Sequence, residues 1–95
     1  MAFQALINLH SDQLRVSGVL NFNTITMVWK DSLPLLARIS HLRFDLSGVT
    51  FCNSAAFALL VEWKRWAREN QKDISFENIP LQLQSILNVC GIAKF

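Results

Sequence analysis

The chain has 95 residues, of which 52% are hydrophobic and 17% charged, and its formal net charge is +2. That length allows one domain around one core, expected over residues 1–95, and the composition excludes a disordered chain. The charge is too small to point to nucleic acid, and the longest apolar run, Ala55 to Val61, falls far short of a membrane span.

The opening MAFQALINLHSDQ lacks a basic leader followed by a long apolar segment, so no signal peptide is expected. Phe3, Ala5, Ile7 and Leu9 alternate against Gln4, Leu6 and Asn8, which predicts an edge strand. His10-Ser11-Asp12 is a turn, and a second strand follows over Gln13 to Ser17, with Leu14 and Val16 inward. So short a connection implies an antiparallel hairpin, closed by Gly18. Asn21 to Thr24 offers several N-cap residues, after which Ile25, Val28, Trp29, Ser32, Leu36 and Ile39 keep helical spacing. Pro34 lies inside that pattern and predicts a kink or two short helices.

His41 to Leu46 reads as a strand, with Leu42, Phe44 and Leu46 on one face and Arg43 and Asp45 on the other. A short loop then leads to a helix opening at Asn53 or Ser54 and running to Asn70, which suits a left-handed cap. On a wheel at about 100° per residue, Ala56, Leu59, Leu60, Trp63, Trp66 and Ala67 share the core face. Ser54, Phe57, Ala58, Val61, Arg65 and Arg68 share the other. An apolar patch beside a hydroxyl suits a docking surface, and it equally suits Phe57 and Val61 covered by a neighbouring loop. Ile74 and Phe76 mark a last short strand. Asn78-Ile79-Pro80 opens a final helix with Leu83, Ile86, Leu87 and Cys90 inward, ended by Gly91. Helical crossovers between strands imply parallel pairing. The expected fold is α/β: a mixed sheet of about four strands with an N-terminal antiparallel hairpin and helices mainly on one face. The open face would carry Arg15, Ser17, Arg43, Asp45, Ser75 and Glu77 into water.

Little in the chain suggests catalysis. Gly18, Gly48 and Gly91 are the only glycines, so there is no phosphate-binding loop. His10 and His41 have no partner at ligand or triad spacing. Cys52 and Cys90 follow no metal or redox spacing and read as reduced, buried thiols of a cytoplasmic protein. Asp45 and Glu77 would face one another across strands, as a titrating pair or, more simply, as part of a solvated face. Lys64, Arg65, Arg68 and Lys72 form a basic cluster that suits nucleic acid or lipid headgroups, or a solvated helix face; the lack of interleaved aromatics favours the last. No catalytic residue, metal or cofactor is expected.

The stretch Asp45-Leu46-Ser47-Gly48-Val49-Thr50-Phe51-Cys52-Asn53-Ser54-Ala55-Ala56-Phe57-Ala58-Leu59-Leu60 resembles the signature of the STAS domain, found in anti-sigma factor antagonists and sulfate transporter tails. Gly18-Val19-Leu20-Asn21 resembles the family's Gly-x-Leu-Asp turn, and Cys90 to Phe95 resembles its close. Within the family the short stand-alone form is most similar to the small STAS subunit of a bacterial phospholipid ABC transporter that maintains outer-membrane lipid asymmetry. The resemblance implies a cytoplasmic, non-enzymatic subunit, peripheral to the inner membrane, that binds the transporter's ATPase and supports its assembly and activity. Asn53, Ser54, Phe57, Ala58, Val61 and Arg65 would form the protein-binding surface, with the Gly18 to Asn23 turn beside them. The alternative it implies is an anti-sigma factor antagonist switched by a partner kinase that phosphorylates Ser54. A phosphate there would sit at the positive end of a helix and add charge beside Phe57 and Val61. As a plain N-cap, Ser54 would contribute about 1 kcal/mol. The chain departs from the family pattern in three places: Asn53 replaces an aspartate, Ala55-Ala56 replaces a glycine pair, and Asn21 replaces an acid. These tilt the reading from a phosphorylation switch toward a constitutive binding subunit.

Overall fold

The computed structural model describes residues 4–89. Its elements are β1 (Ala5–His10), β2 (Gln13–Leu20), α1 (Ile25–Leu36), β3 (His41–Cys52), α2 (Ser54–Glu69), β4 (Asp73–Glu77) and α3 (Leu81–Val89). The strands form one sheet in the order β1-β2-β3-β4. The β1–β2 hairpin is antiparallel, and β2–β3 and β3–β4 are parallel, as crossover connections require. α1 packs over β1, and α2 over β3 and β4 with α3 beside it. Phe3, Cys90 and Gly91 lie outside the described residues.

The core is one cluster between sheet and helices. Ile7, Leu14, Val16, Leu20, Leu42, Phe44 and Leu46 enter from the strands, and Val28, Leu36, Leu59, Leu60, Trp63 and Leu83 from the helices. Trp63 stacks on Phe44 with ring centroids 4.1 Å apart, and Phe76 stacks on Phe44 at 5.3 Å. The Trp63 indole N–H donates to Ser32 Oγ at 3.0 Å, and the Ser32 hydroxyl donates to the Trp29 carbonyl at 2.6 Å. A buried polar pair is thereby satisfied and ties α2 to α1.

The strands run longer than their alternation suggests. β2 continues through Gly18 to Leu20. Gly18 does not close the hairpin: it sits inside the strand at φ 92° with the Gln4 carbonyl oxygen where a Cβ would project. β3 likewise continues from Leu46 to Cys52, where a loop was expected. Arg15 faces Asp45 but Ser17 faces Gly48, and Gly18 faces Val49 but Val19 faces Phe51. Each step gives β3 one residue more than β2, which is a bulge. Each bulge shifts the inward phase, so Leu46, Val49 and Cys52 point to the core at a spacing of three. Period two fails there although the strand does not. At Gly48 a Cβ would come within 2.8 Å of Ser17 Cβ, so only glycine lets the strands close up.

α1 is one helix, not two. Pro34 lies in its last turn on the exposed side, in column with exposed Lys30, whose carbonyl loses a donor there. Buried Leu36 and the Ala37 N–H to Leu33 carbonyl bond at 3.3 Å hold the final residues down. The N-cap of α1 is Thr24, whose hydroxyl makes no cap bond and donates instead to the Val19 carbonyl at 2.7 Å. At the end of α2, Asn70 is the C-cap at φ −107° and Gln71 takes the left-handed position at φ 51°. The Lys72 N–H then reaches back to the Ala67 carbonyl at 2.8 Å, closing the last turn.

The uncovered sheet face is knit by polar side chains. Glu77 accepts from Gln13 Nε2 at 3.2 Å and from Arg43 Nε and Nη2 at 3.3 and 3.2 Å. Asp45 is not in water as expected: it is only 8% exposed, covered by Asn78 from the loop after β4. Its Oδ1 accepts from Asn78 Nδ2 and the Ser47 N–H, both at 2.9 Å, and Arg15 lies 3.7 Å from Oδ2. Asp45 and Glu77 are register partners, yet each is held by its own donors rather than by the other.

Candidate protein-binding site

The six residues singled out at the start of α2 fall in one column, because residues three or four apart stack on a helix. The core face of that helix is Ala55, Ala56, Leu59, Leu60, Trp63 and Ala67, with Trp66 half-buried. Ala55 and Ala56 are fully buried, so the positions of the family's glycine pair still demand small side chains.

Asn53 is the N-cap, its Oδ1 accepting the Ala55 N–H at 2.9 Å. Ser54 is therefore the first helical residue and not the cap. Its side chain is exposed, and among the described residues no hydrogen bond engages its hydroxyl. Ala58 and Arg65 are exposed, while Phe57 and Val61 are half-buried. Phe57 also packs on the core cluster, so it is part anchor and part surface. Arg65 lies 3.5 Å from Glu62 in an exposed pair.

The column is a ridge with a groove on each flank. Toward α1 lies an apolar groove of about 250 Å³ lined by Ile25, Thr26, Trp29, Ala58, Leu59 and Glu62. Toward β4 lies a groove of about 430 Å³, lined by Val61, Ala67, Ile74 and the basic side chains of Lys64, Arg65, Arg68 and Lys72. Lys64, Arg65 and Arg68 are exposed, as a solvated helix face would have them, and Lys72 is half-buried beside them. A third groove, on the open sheet face, includes His10, Asn8, Arg15 and Ser17. His41 is exposed, with its Nε2 3.3 Å from Ser75 Oγ.

Asn21 and Thr24 shape the turn beside the ridge. Asn21 Oδ1 accepts the N–H groups of Asn23 and Thr24 at 2.9 and 3.2 Å, so the amide performs the turn-closing task of an acid without its charge. Leu20 and Cys52 are register partners, and the Asn53 N–H donates to the Leu20 carbonyl at 3.3 Å, which brings turn and ridge to one end of the sheet.

A family model described as "Mlab, STAS domain" matches residues 3–95. The chain belongs to the STAS-domain family. No curated protein matches it. Among solved structures it is similar to the anti-sigma factor antagonist SpoIIAA in its unphosphorylated form. There the TM-score is 0.68 at 12% identity, over 96% of this chain and 82% of that one. It is also similar to an anti-sigma factor antagonist from Mycobacterium paratuberculosis, with a TM-score of 0.72 at 18% identity, over 96% and 80% of the two chains. At such identities the likeness is one of fold.

This STAS domain also exposes large apolar side chains that the periodicity did not single out. Phe51 is 45% exposed and Phe22 67%, at the sheet end that carries the start of α2. Phe22 falls in the turn expected to join the surface. Phe51 turns outward because of the second bulge, which no alternation pattern encodes. The buried Cys52 thiol is pushed up from its ordinary value by desolvation, and the Cys52 N–H donates to Gln82 Oε1 at 3.2 Å. No helix of the described residues is long and apolar enough to cross a membrane.

Proposed function

We propose that this STAS domain is a cytoplasmic binding subunit of a phospholipid-transporting ABC complex. It docks on the complex's ATPase and supports its assembly and activity, without catalysing a reaction itself. The observation that carries the reading is the match of nearly the whole chain to the family described by the MlaB name. The ridge supports it physically. Ala58 and the flanks of Phe57 and Val61 offer apolar anchors, Ser54 and Arg65 supply a polar rim, and the α1–α2 groove beside them accepts a side chain of the partner. Co-purification from the native cell is expected to recover an ABC ATPase with the wild-type chain and to lose it with Ala58→Glu. Recovery of the ATPase undiminished by Ala58→Glu would remove the ridge from the interface.

One observation favours a second reading, an anti-sigma factor antagonist. Ser54 presents a hydroxyl without a hydrogen-bond partner among the described residues, at the helix end that best tolerates a phosphate. Against it stands Asn53, whose amide is committed to the cap and carries no charge. Phosphate incorporation that vanishes in Ser54→Ala, together with recovery of a kinase-like anti-sigma factor, would replace the first reading with this one.

A further inference from the structure

Residues 16–29, 46–61 and 78–89 include none of the chain's 9 lysines and arginines and none of its 7 aspartates and glutamates. The fold brings these stretches to one end of the molecule. β2, β3 and β4 run parallel, so the connections that leave their carboxyl ends lie on the same side of the sheet. Leu20 and Cys52 are register partners, and the Cys52 N–H donates to Gln82 Oε1 at 3.2 Å, so the three stretches meet at Cys52. Around that point Phe22 is 67% exposed, Phe51 45% and Leu81 79%. Asn23, Thr50 and Ser54 are exposed with them, and among the described residues no hydrogen bond engages their side chains. α2 shows the segregation within one element: it is uncharged from Ser54 to Val61 and carries Glu62, Lys64, Arg65, Arg68 and Glu69 in its second half.

We infer that this charge-free end is the contact surface of a two-fold dimer of the chain. A two-fold axis sets the residues around it beside their own copies, so a charge there meets its like and repels it. The groups exposed at this end are compatible with their copies. Aromatic rings pack on rings, and the side chains of Asn23, Thr50 and Ser54 are each donor and acceptor at once. Contact there also keeps the cationic second halves of the two α2 helices apart, whereas contact through Lys64, Arg65 and Arg68 would oppose like charges. A foreign partner is commonly singled out by complementary charge, and this end offers none to read. An anionic bilayer would find no lysine or arginine on it. Ser54 belongs both to this end and to the ridge, so the dimer and the ATPase complex exclude one another. The inference goes beyond the ATPase reading and does not depend on it.

The test uses the full chain by itself, in sedimentation equilibrium. The mean mass is expected to rise from one chain toward two over roughly 1–300 µM, and to hold in salt of about 0.1–1 M because no ion pair is involved. Phe22→Ser and Leu81→Ser, both at largely exposed positions, should each weaken the dimer at least about 10-fold at an unchanged thermal midpoint. Asn23→Glu and Asn23→Lys should each disperse it, and an equimolar mixture of the two should recover it, a rescue that damage to the fold would not allow. Arg68→Glu, in the charged half of α2, should leave it unchanged. A chain that is monomeric throughout, a dimer dispersed by salt, or one indifferent to Phe22→Ser and the Asn23 variants would overturn the inference. So would a monomeric chain that floats with phosphatidylcholine vesicles, or a Phe22→Ser variant that loses only the ATPase. An intact dimer with no ATPase recovered would leave this inference standing and remove the ATPase reading alone.

Discussion

Replacing Ser32 by alanine tests the orientation of α2 on which the site depends. Ser32 and Trp63 are both fully buried, and the Ser32 oxygen is the acceptor for the Trp63 indole N–H at 3.0 Å. Ser32→Ala removes one oxygen atom, so little packing volume is lost, but the indole donor is stranded among apolar side chains. Leaving a buried donor unpaired costs about 1–3 kcal/mol. In a domain of this size each kcal/mol moves the thermal midpoint by about 4–8 °C, so the midpoint should fall by roughly 4–24 °C. Circular dichroism melts of Ser32→Ala, Trp63→Phe and the double variant complete the cycle. Removing the donor as well as the acceptor should give a coupling energy on the order of 1 kcal/mol. The same bond sets the spacing of α1 and α2, and with it the groove lined by Trp29 and Leu59. A Ser32→Ala midpoint within about 1 °C of wild type would mean that Trp63 does not face α1 as described, and the outward ridge would lose its basis.

Further outcomes follow from individual residues. Ala58→Glu should alter stability by no more than about 0.5 kcal/mol, as exposed substitutions do, whereas Phe57→Asp should cost about 1–2 kcal/mol because Phe57 also packs on the core; paired urea titrations separate the two. Asp45 is held below its ordinary range, first by the Asn78 amide, then by the Ser47 N–H, with Arg15 adding a little, against the opposing pull of burial. A lowered folded value means that the carboxylate stabilises the fold above about pH 4 and ceases to do so as pH falls through the folded value. The stability gap between wild type and Asp45→Asn should therefore be full at neutral pH and close in strong acid; an unchanged gap there would refute the assignment. Gly18→Ala should cost more than about 1 kcal/mol, because the new methyl meets the Gln4 carbonyl oxygen at a positive φ, and a melt checks it. Cys52 should resist alkylation in the native chain at neutral pH and react on unfolding, since burial both shields the thiol and disfavours its thiolate; mass mapping reads the site.

Much of the architecture was legible from spacing. The Phe44 and Trp63 stripes, the hairpin turn and the two crossovers each obey a simple period, and simple periods survive folding because burial on one face demands them. What broke the pattern was local. The bulges in β3 hid six strand residues behind an apparent loop, since two strands of unequal length must pair and the extra residues belong to neither face. Pro34 stayed in its helix because its exposed position near the end makes the missing bond a small loss. Asp45 alternated as a surface residue and was buried by Asn78, which lies 33 positions away and arrives only when β4 has docked.

The candidate site divides in the same way. The sequence by itself determined that Ser54, Ala58 and Arg65 share the outer side of an amphipathic helix, because a helix repeats its faces regardless of its surroundings. Only the tertiary structure decided that Phe57 is half core and half surface, that Phe51 turns outward, and that four basic side chains converge on one groove with an apolar floor. Those facts depend on how α2 is seated between α1 and β4, and seating is set by the joint packing of side chains from several elements.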